Sequence, residues 1–346
     1  MLESLPYTYS LPDDRIAQRP VHPPESAKMM VVYRDTGALE HRSFADIGEY
    51  LHSGDHLVFN DTKVIPARLF GELEGEGGYP IEVVLVEEIA KNEWSALGFP
   101  MRKIRAAGKL FFNPQLYAVV LPSPVEDRLR LKFASPSDLD VSALLNAHGT
   151  MPIPPYIRDG RGDELDRVDY QSIFALHPGS VAAPTASLHF TEELISNLKA
   201  QRGCVIDRIT LHVGTASFQP IIVNGQLRKP GYERFSVSSD LLIKFKATKE
   251  KQRRIIAVGT TVVRALESAA RKAPSSSGLD STELFIEPGF VFSFVDALVT
   301  NFHQPRTTHL LLVEALLGAE LLNRAYQEAL SHDYRFLSYG DGMLII

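Results

Sequence analysis

Arg254-Ile-Ile-Ala-Val-Gly-Thr-Thr-Val-Val-Arg264 reads as a strand, a Gly-Thr-Thr turn and the opening of a helix. In an α/β sheet such a junction is where ligands sit, because the first N–H groups of the helix face outward toward an anion. The stretch lacks the three-glycine dinucleotide pattern and any phosphate-loop lysine, so neither nucleotide motif is assigned. An ordinary strand-to-helix turn capped by Thr260 or Thr261 reads equally well. Around it, strands are expected at 209–213 and 255–258 and helices at 261–272, 308–317 and 321–330. That alternation indicates an α/β layer.

The first half of the chain has another character. Strands at 29–33 and 56–59 flank a short helix at 45–51 that stops before Gly54. Residues 67–73, 81–86, 94–97, 117–121 and 128–133 are short and β-rich, with no convincing helical period among them. Several such strands in succession suggest a small barrel or sandwich. A helix is expected at 138–148, and Met151-Pro-Ile-Pro-Pro-Tyr156 then carries too many prolines for helix or central strand. The economical reading is a discontinuous α/β domain, residues 1–62 and 150–346, interrupted at 63–149 by a small all-β, barrel-like domain. The first sixty residues are too short to fold alone and supply strands to the C-terminal half. Residues 273–281 read as a surface loop rich in Ser, Pro and Gly.

The chain has 346 residues, 45% of them hydrophobic, so a sizeable core can form. Its single cysteine, Cys204, excludes an internal disulfide and any multi-cysteine zinc site and fits a reducing compartment. His52 and His56 are four apart, but Gly54 and Asp55 break the helix a metal pair would need, and no metal site is expected. No G-x-S-x-G elbow supports a serine hydrolase. Met1-Leu-Glu-Ser-Leu-Pro6 does not read as a signal peptide, and no apolar run has the length a bilayer requires. The expectation is a soluble, cytoplasmic, monomeric protein with no membrane partner. A net charge of −6 argues against a surface coated in phosphate contacts, not against a local basic face. Two basic clusters, Arg102-Lys103-Arg105-Lys109 and the lysines and arginines from Lys244 to Arg254, are either solvated edges or phosphate contacts.

Polar groups collect at strand ends. Asn60, Asp61 and Thr62 follow one strand, His212 another, Gly259-Thr-Thr261 a third, and Asn301 with His303 and Arg306 a fourth; Asp341 lies in Tyr339-Gly-Asp-Gly342. Each alone can be an Asx-turn or a plain corner. Five are hard to explain as independent turns, and a sheet that gathers them on one edge makes them one site. Gly179-Ser-Val-Ala-Ala-Pro-Thr-Ala-Ser-Leu-His-Phe-Thr191 adds a run of small residues that lets a backbone approach another molecule. It places His189 just before a helix capped by Thr191. A tightly packed internal turn is the competing reading.

In these stretches the chain resembles the S-adenosylmethionine:tRNA ribosyltransferase-isomerase family of queuosine biosynthesis. The resemblance rests on Leu57-Val-Phe-Asn-Asp-Thr-Lys-Val-Ile-Pro-Ala-Arg-Leu69, Met151-Pro-Ile-Pro-Pro-Tyr-Ile157, the 179–191 run, Ile256-Ala-Val-Gly-Thr-Thr-Val-Val-Arg-Ala-Leu-Glu267, Thr300-Asn-Phe-His-Gln-Pro-Arg306 and Tyr334-Arg-Phe-Leu-Ser-Tyr-Gly-Asp341. These blocks run in family order over nearly the whole chain. The family's His-x-Met-His-x-Glu stretch corresponds to Arg228-Lys-Pro-Gly-Tyr-Glu233, where only Glu233 matches, and the turn after His212 is altered to Gly214-Thr-Ala-Ser-Phe218.

The resemblance implies transfer of the ribosyl part of S-adenosylmethionine to 7-aminomethyl-7-deazaguanine (preQ1) at the wobble position of tRNA. The products are epoxyqueuosine-tRNA, adenine and methionine. S-adenosylmethionine is then a co-substrate, and no recycled cofactor is implied. Chemistry nominates His189, Asp61, His303 and Asp341 for proton transfer, with His189 first because imidazole exchanges protons near neutral pH. Gly259, Thr260 and Thr261 suit the methionine carboxylate or ribose hydroxyls. Asn60, Asn301, Tyr339 and Arg264 suit the polar edges of a base, and Thr62, Arg68, Thr185, Phe190, His212 and Phe302 are further substrate contacts. Arg102, Lys103 and Arg105 are expected to hold tRNA. A non-catalytic RNA- or nucleotide-binding module and a ribosyl transferase acting on a free base are the alternatives.

Overall fold

The computed structural model describes residues 9–75, 78–136, 139–214, 222–223, 226–227, 231–272 and 279–346. Most of the altered turn after His212 and the first three residues of the divergent 228–233 segment lie outside the described residues. The chain forms two compact units. Unit 1 is Met1–Thr62, Gln171–His177 and Ala183–Ile346; unit 2 is Lys63–Tyr170 with Pro178–Ala182. The division expected after residue 149 falls instead at Tyr170. Hydrogen bonds tie the intervening segment to unit 2: Thr150 N–H donates to Arg68 O at 2.8 Å, and Arg167 Nη2 donates to Gly149 O at 2.9 Å.

Unit 2 is built on a closed antiparallel barrel in the order Leu129–Ala134, Glu93–Phe99, Pro80–Ala90, Arg68–Leu73, Lys109–Asn113, Leu116–Leu121. Closure removes the free edges that an open sheet exposes. Inward residues Leu69, Val83, Ala96, Leu110, Ala118 and Leu131 are almost fully buried and fill the interior. Two elements of this unit are illegible as sequence patterns. The Met101–Ala106 helix buries only Ile104, so it shows no apolar period, and Lys109–Asn113 is the strand that closes the barrel.

Unit 1 holds a nine-stranded mixed sheet. Its order is Asp280–Thr282, Glu233–Ser236, Val205–Leu211, His56–Asn60, Ile255–Val258, Ala297–Asn301, Gly342–Ile345, Lys28–Val32 and Leu39–Ser43. Val205–Leu211, His56–Asn60, Ile255–Val258 and Ala297–Asn301 run parallel. Every residue of the last three is buried, as parallel strands covered on both faces must be. Phe59, Val258, Val299 and Leu344 share one core with Phe190, Leu194 and Leu198.

Local rules explain the flanking elements. The Glu192–Arg202 helix begins at Thr191, whose side chain accepts from Leu194 N, and ends at Gly203, whose φ of 65° suits glycine. The expected helix at 45–51 is a 3-10 helix, Phe44–Tyr50, opened by a capping box from Ser43 and Asp46. The lysine-rich run after residue 238 is a helix, Ser239–Glu250, because Leu241, Leu242, Phe245 and Thr248 give it a buried stripe.

Candidate active site

Strand register decides what the polar corners share. Val58 pairs with Ala257, Val258 with Val299, and Asn301 with Gly342, while Asn60 pairs with Ile209. The last residues of the four parallel strands therefore lie along one edge. Because Gly342–Ile345 runs antiparallel to Ala297–Asn301, its first residue and the preceding Asp341 reach the same edge. The sequence from His212 through Asn60, Gly259 and Asn301 to Asp341 becomes one row across unit 1. In α/β sheets that edge is where ligands bind.

At the centre of the row, Gly259 adopts φ 97° and ψ 150° and opens the Thr260–Ala269 helix without a side-chain cap. The plain capped turn is thus not what forms. Gly259 N–H donates to Val299 O at 2.8 Å. Among the described residues, no acceptor takes the N–H of Thr260 or Thr261, which leaves two donors at a helix N-terminus of ten residues. Four residues on, Arg264 shares the Thr260 face of the helix. It pairs with Glu233 and donates from Nε to Leu284 O at 3.1 Å, and its buried Nη2 has no partner. Burial pushes the Glu233 carboxyl upward, while Arg264 and the Gly214 N–H pull it down.

His189 ends the Thr185–His189 3-10 helix and is buried. Its ring packs 4.6 Å from Phe44, and Phe190 stands edge-on to Phe44 and Phe59. Phe190 packs on Phe44, the ring that lies against His189. Thr185 Oγ1 donates to Asn301 Oδ1 at 2.8 Å, which orients the amide so that Asn301 Nδ2 faces His189 Nε2 at 3.3 Å. Nε2 is then the acceptor of the ring, and a hydrogen bond with the Pro24 backbone takes the other nitrogen's proton. Burial and then the Arg335 charge lower the His189 pKa to about 4. The ring is neutral at physiological pH, which suits accepting a proton rather than donating one. The near-neutral exchange expected from the free imidazole does not apply at this burial.

The remaining residues divide by what they touch. Asn60 Nδ2 donates to Leu211 O at 2.9 Å and its Oδ1 accepts from Leu211 N at 3.0 Å, so its amide is a strut between two strands. Its Nδ2 also lies 3.3 Å from Thr261 Oγ1. Thr62 Oγ1 lies 2.9 Å from His212 Nδ1, and burial followed by the Arg234 charge lowers that histidine to about 4. Asp61 accepts from Thr210 Oγ1 at 2.6 Å, and its other oxygen lies 3.8 Å from His177 Nε2. His303 Nε2 meets Thr300 Oγ1 at 2.8 Å and its ring stacks on His309, with burial holding His303 well below its ordinary range.

Two nominated residues, Asp341 and Phe302, are engaged by the fold itself. Asp341 gives its two carboxylate oxygens to the N–H groups of Lys28, at 3.1 Å, and Arg335, at 2.7 Å; it anchors three segments rather than presenting a free carboxylate. Phe302 is buried among Tyr326, Tyr334 and Phe336. Arg68 belongs to the barrel unit, where Glu82 lies 3.2 Å from its Nε. Tyr339 is buried close to Asp341 in sequence. Sequence reasoning missed Ser187, a fully buried hydroxyl without a partner beside His189, whose only signal is its place in the small-residue run. In unit 2, Arg102, Lys103 and Arg105 are exposed. Lys103 Nζ sits 3.5 Å over the Tyr79 ring, and Arg102 and Lys103 border an open cleft of about 470 Å³.

The family model described as "Queuosine biosynthesis protein" matches residues 5–345. S-adenosylmethionine:tRNA ribosyltransferase-isomerase of Thermotoga petrophila is 42% identical over 341 residues, which span 98% of this chain and 98% of its own. The protein of the same name from Symbiobacterium thermophilum is 43% identical over 343 residues, with the same coverage. The crystal structure of S-adenosylmethionine tRNA ribosyltransferase from Thermotoga maritima matches with a TM-score of 0.55 at 36% identity, covering 99% of this chain and 100% of that one.

Proposed function

Because this chain belongs to the queuosine biosynthesis family, we propose that the polar edge of its parallel strands is where its two substrates meet. The protein is an enzyme that transfers and isomerises the ribosyl part of S-adenosylmethionine onto preQ1 at the tRNA wobble position. It releases adenine and methionine and leaves epoxyqueuosine in the tRNA. S-adenosylmethionine is consumed in each turnover. The observation that carries the site is the register that lines up Asn60, Gly259, Asn301 and Gly342 along one edge of unit 1.

The reaction makes three demands. First, the sulfonium acidifies the neighbouring ribose carbon, and a neutral base must take that proton. His189 is the candidate: Phe44 packs on its ring, and the Asn301 Nδ2–H bond that its Nε2 accepts in the free protein gives way so that the lone pair can take the proton. Second, the methionine carboxylate needs donors. Among the described residues, Thr260 N–H, Thr261 N–H and Arg264 Nη2 have no partner, and they share one helix end. Third, the acceptor amine must be neutral to attack, and an edge whose histidines are driven uncharged by burial disfavours an ammonium in the same way.

The exposed Arg102, Lys103 and Arg105 are assigned to the tRNA backbone. The modified base must leave the anticodon-loop stack, which a single-stranded loop permits at modest cost. Incubation with S-adenosylmethionine and preQ1-tRNA is expected to release adenine. Binding of the tRNA without adenine release would overturn the reading. Reversing the three basic charges is expected to weaken tRNA binding and flatten its salt dependence, and an unchanged salt slope would remove those residues from the interface.

A further inference from the structure

We propose that unit 1 carries a surface site for a divalent transition-metal ion of the zinc, cobalt or nickel class, formed by His41, Glu328 and His332. It is independent of the ribosyl transfer. Glu328 lies in the last turn of the Ala319–Ser331 helix, and His332 is the residue that caps it. The four-residue spacing puts both side chains on one face. His41, from the Leu39–Ser43 strand, completes the set. His41 Nε2 and His332 Nδ1 each lie 3.3 Å from Glu328 Oε1, and the three ligand atoms fall within 4.8 Å of one another. Metal–ligand bonds of about 2.0–2.1 Å in a tetrahedral site set neighbouring ligand atoms about 3.3–3.4 Å apart. The two observed separations already match that edge.

The outer contacts suit the same purpose. Tyr334 Oη is 2.9 Å from His41 Nδ1 and donates its own proton to Met29 O at 3.3 Å. With that proton committed, His41 Nδ1–H donates to Tyr334 and Nε2 turns its lone pair toward Glu328. The His41 Nε2–Glu328 Oε1 contact can be bridged by a proton or, in its place, by a metal ion. Fixing one imidazole nitrogen so that the other ligates is how protein sites orient a metal-binding histidine. The two imidazole rings stack 4.3 Å apart at 23°, so binding one ion requires these half-exposed rings to turn until their in-plane lone pairs converge beside Glu328. Without metal, His332 Nδ1 lies 3.0 Å from Glu328 O as a donor; the ion takes the place of that proton, which leaves to solvent. Two imidazoles and one carboxylate select borderline transition ions over magnesium or calcium. Partial exposure of all three side chains leaves the fourth position to water.

The test uses the full, untagged chain stripped with a chelator. Cobalt(II) is titrated and followed by visible absorption, and zinc(II) by calorimetry. One ion per chain is expected, with a d–d band typical of a nitrogen- and oxygen-ligated site. His41→Ala and His332→Ala are each expected to lose affinity by at least on the order of tenfold, and Tyr334→Phe by less. Because the altered histidines are half exposed, metal-free melting temperatures should stay near that of the parent; Glu328→Gln serves as a further ligand variant should either histidine variant fail to fold. Absence of stoichiometric binding overturns the proposal. So does binding whose affinity is unchanged in His41→Ala and His332→Ala, since the ion would then sit on other residues.

Discussion

At the N-terminal ends of the parallel strands, His56 Nδ1 meets Asp207 Oδ2 at 2.6 Å, Lys244 Nζ meets Asp207 Oδ1 at 2.5 Å, and Thr248 Oγ1 closes on His56 Nε2 at 3.1 Å. Beside them Arg254 pairs with Asp55, and Asp296 accepts both Lys249 and the Ile255 N–H. At the C-terminal ends of the same strands, amides, hydroxyls and uncharged histidines stand beside Asp61, Asp341 and the Arg264–Glu233 pair, and among the described residues Thr260 N–H, Thr261 N–H, Arg264 Nη2 and Ser187 Oγ have no partner. One end pairs its carboxylates, Asp55, Asp207 and Asp296, with cations. The other keeps donors open at some cost in stability, which is what a site that will receive a charged substrate requires.

Substitutions at the two ends should therefore separate activity from stability. The largest effect is expected for His189→Ala, which should slow adenine release by about 100-fold or more while the chain still folds. Near-normal turnover would remove His189 from proton transfer. Asn301→Ala loses both the Thr185 and the His189 contacts, and a tenfold to hundredfold loss, roughly, is expected in kcat rather than in KM. At the opposite end, Asp207→Asn leaves Lys244 and His56 without their anion. It should lower stability by about 2–3 kcal/mol and Tm by several degrees, with kcat within about twofold of the parent. Loss of activity in a still-folded Asp207→Asn chain would break the comparison.

Acid sharpens the same point. Hydrogen bonds from His56 and Lys244 outweigh burial and hold Asp207 below its ordinary 3.8. Its contribution is present above the unfolded 3.8 and lost as pH falls through the lower folded value, so Asp207→Asn and the parent should draw together in stability only as pH drops below 3.8. The smallest effect concerns Glu314, buried in the Thr308–Leu317 helix with Oε2 unpaired and pushed up by burial to about 7. A raised carboxyl weakens the fold as pH climbs from its unfolded 4.5 past 7. Glu314→Gln should raise Tm by roughly a degree or two at pH 8 and change it little at pH 4, as a pH series of melting curves will show.

Strands and helices of unit 1 were legible because the central runs are apolar and the cap follows rule: Thr191 sits where the pattern puts it. The barrel was legible as a succession of short strands, but not its closing strand or its six-residue helix, since neither has a period long enough to read. The polar corners were visible one by one. What makes them a row is register, a long-range property, and register also decides that Asp341 anchors backbone and that Phe302 belongs to the core. The charge state of His189 was out of reach for the same reason: its burial comes from Phe44, far away in sequence.

Hydrogen exchange of the intact chain, with and without saturating S-adenosylmethionine, tests the location of the site most directly. Among the described residues the Thr260 and Thr261 amides have no acceptor, so a bound carboxylate should slow them by at least on the order of tenfold. Slowing is also expected at residues 301–303 and not at 55–57. Protection confined to the N-terminal strand ends, with Thr260 and Thr261 unchanged, would contradict the assignment.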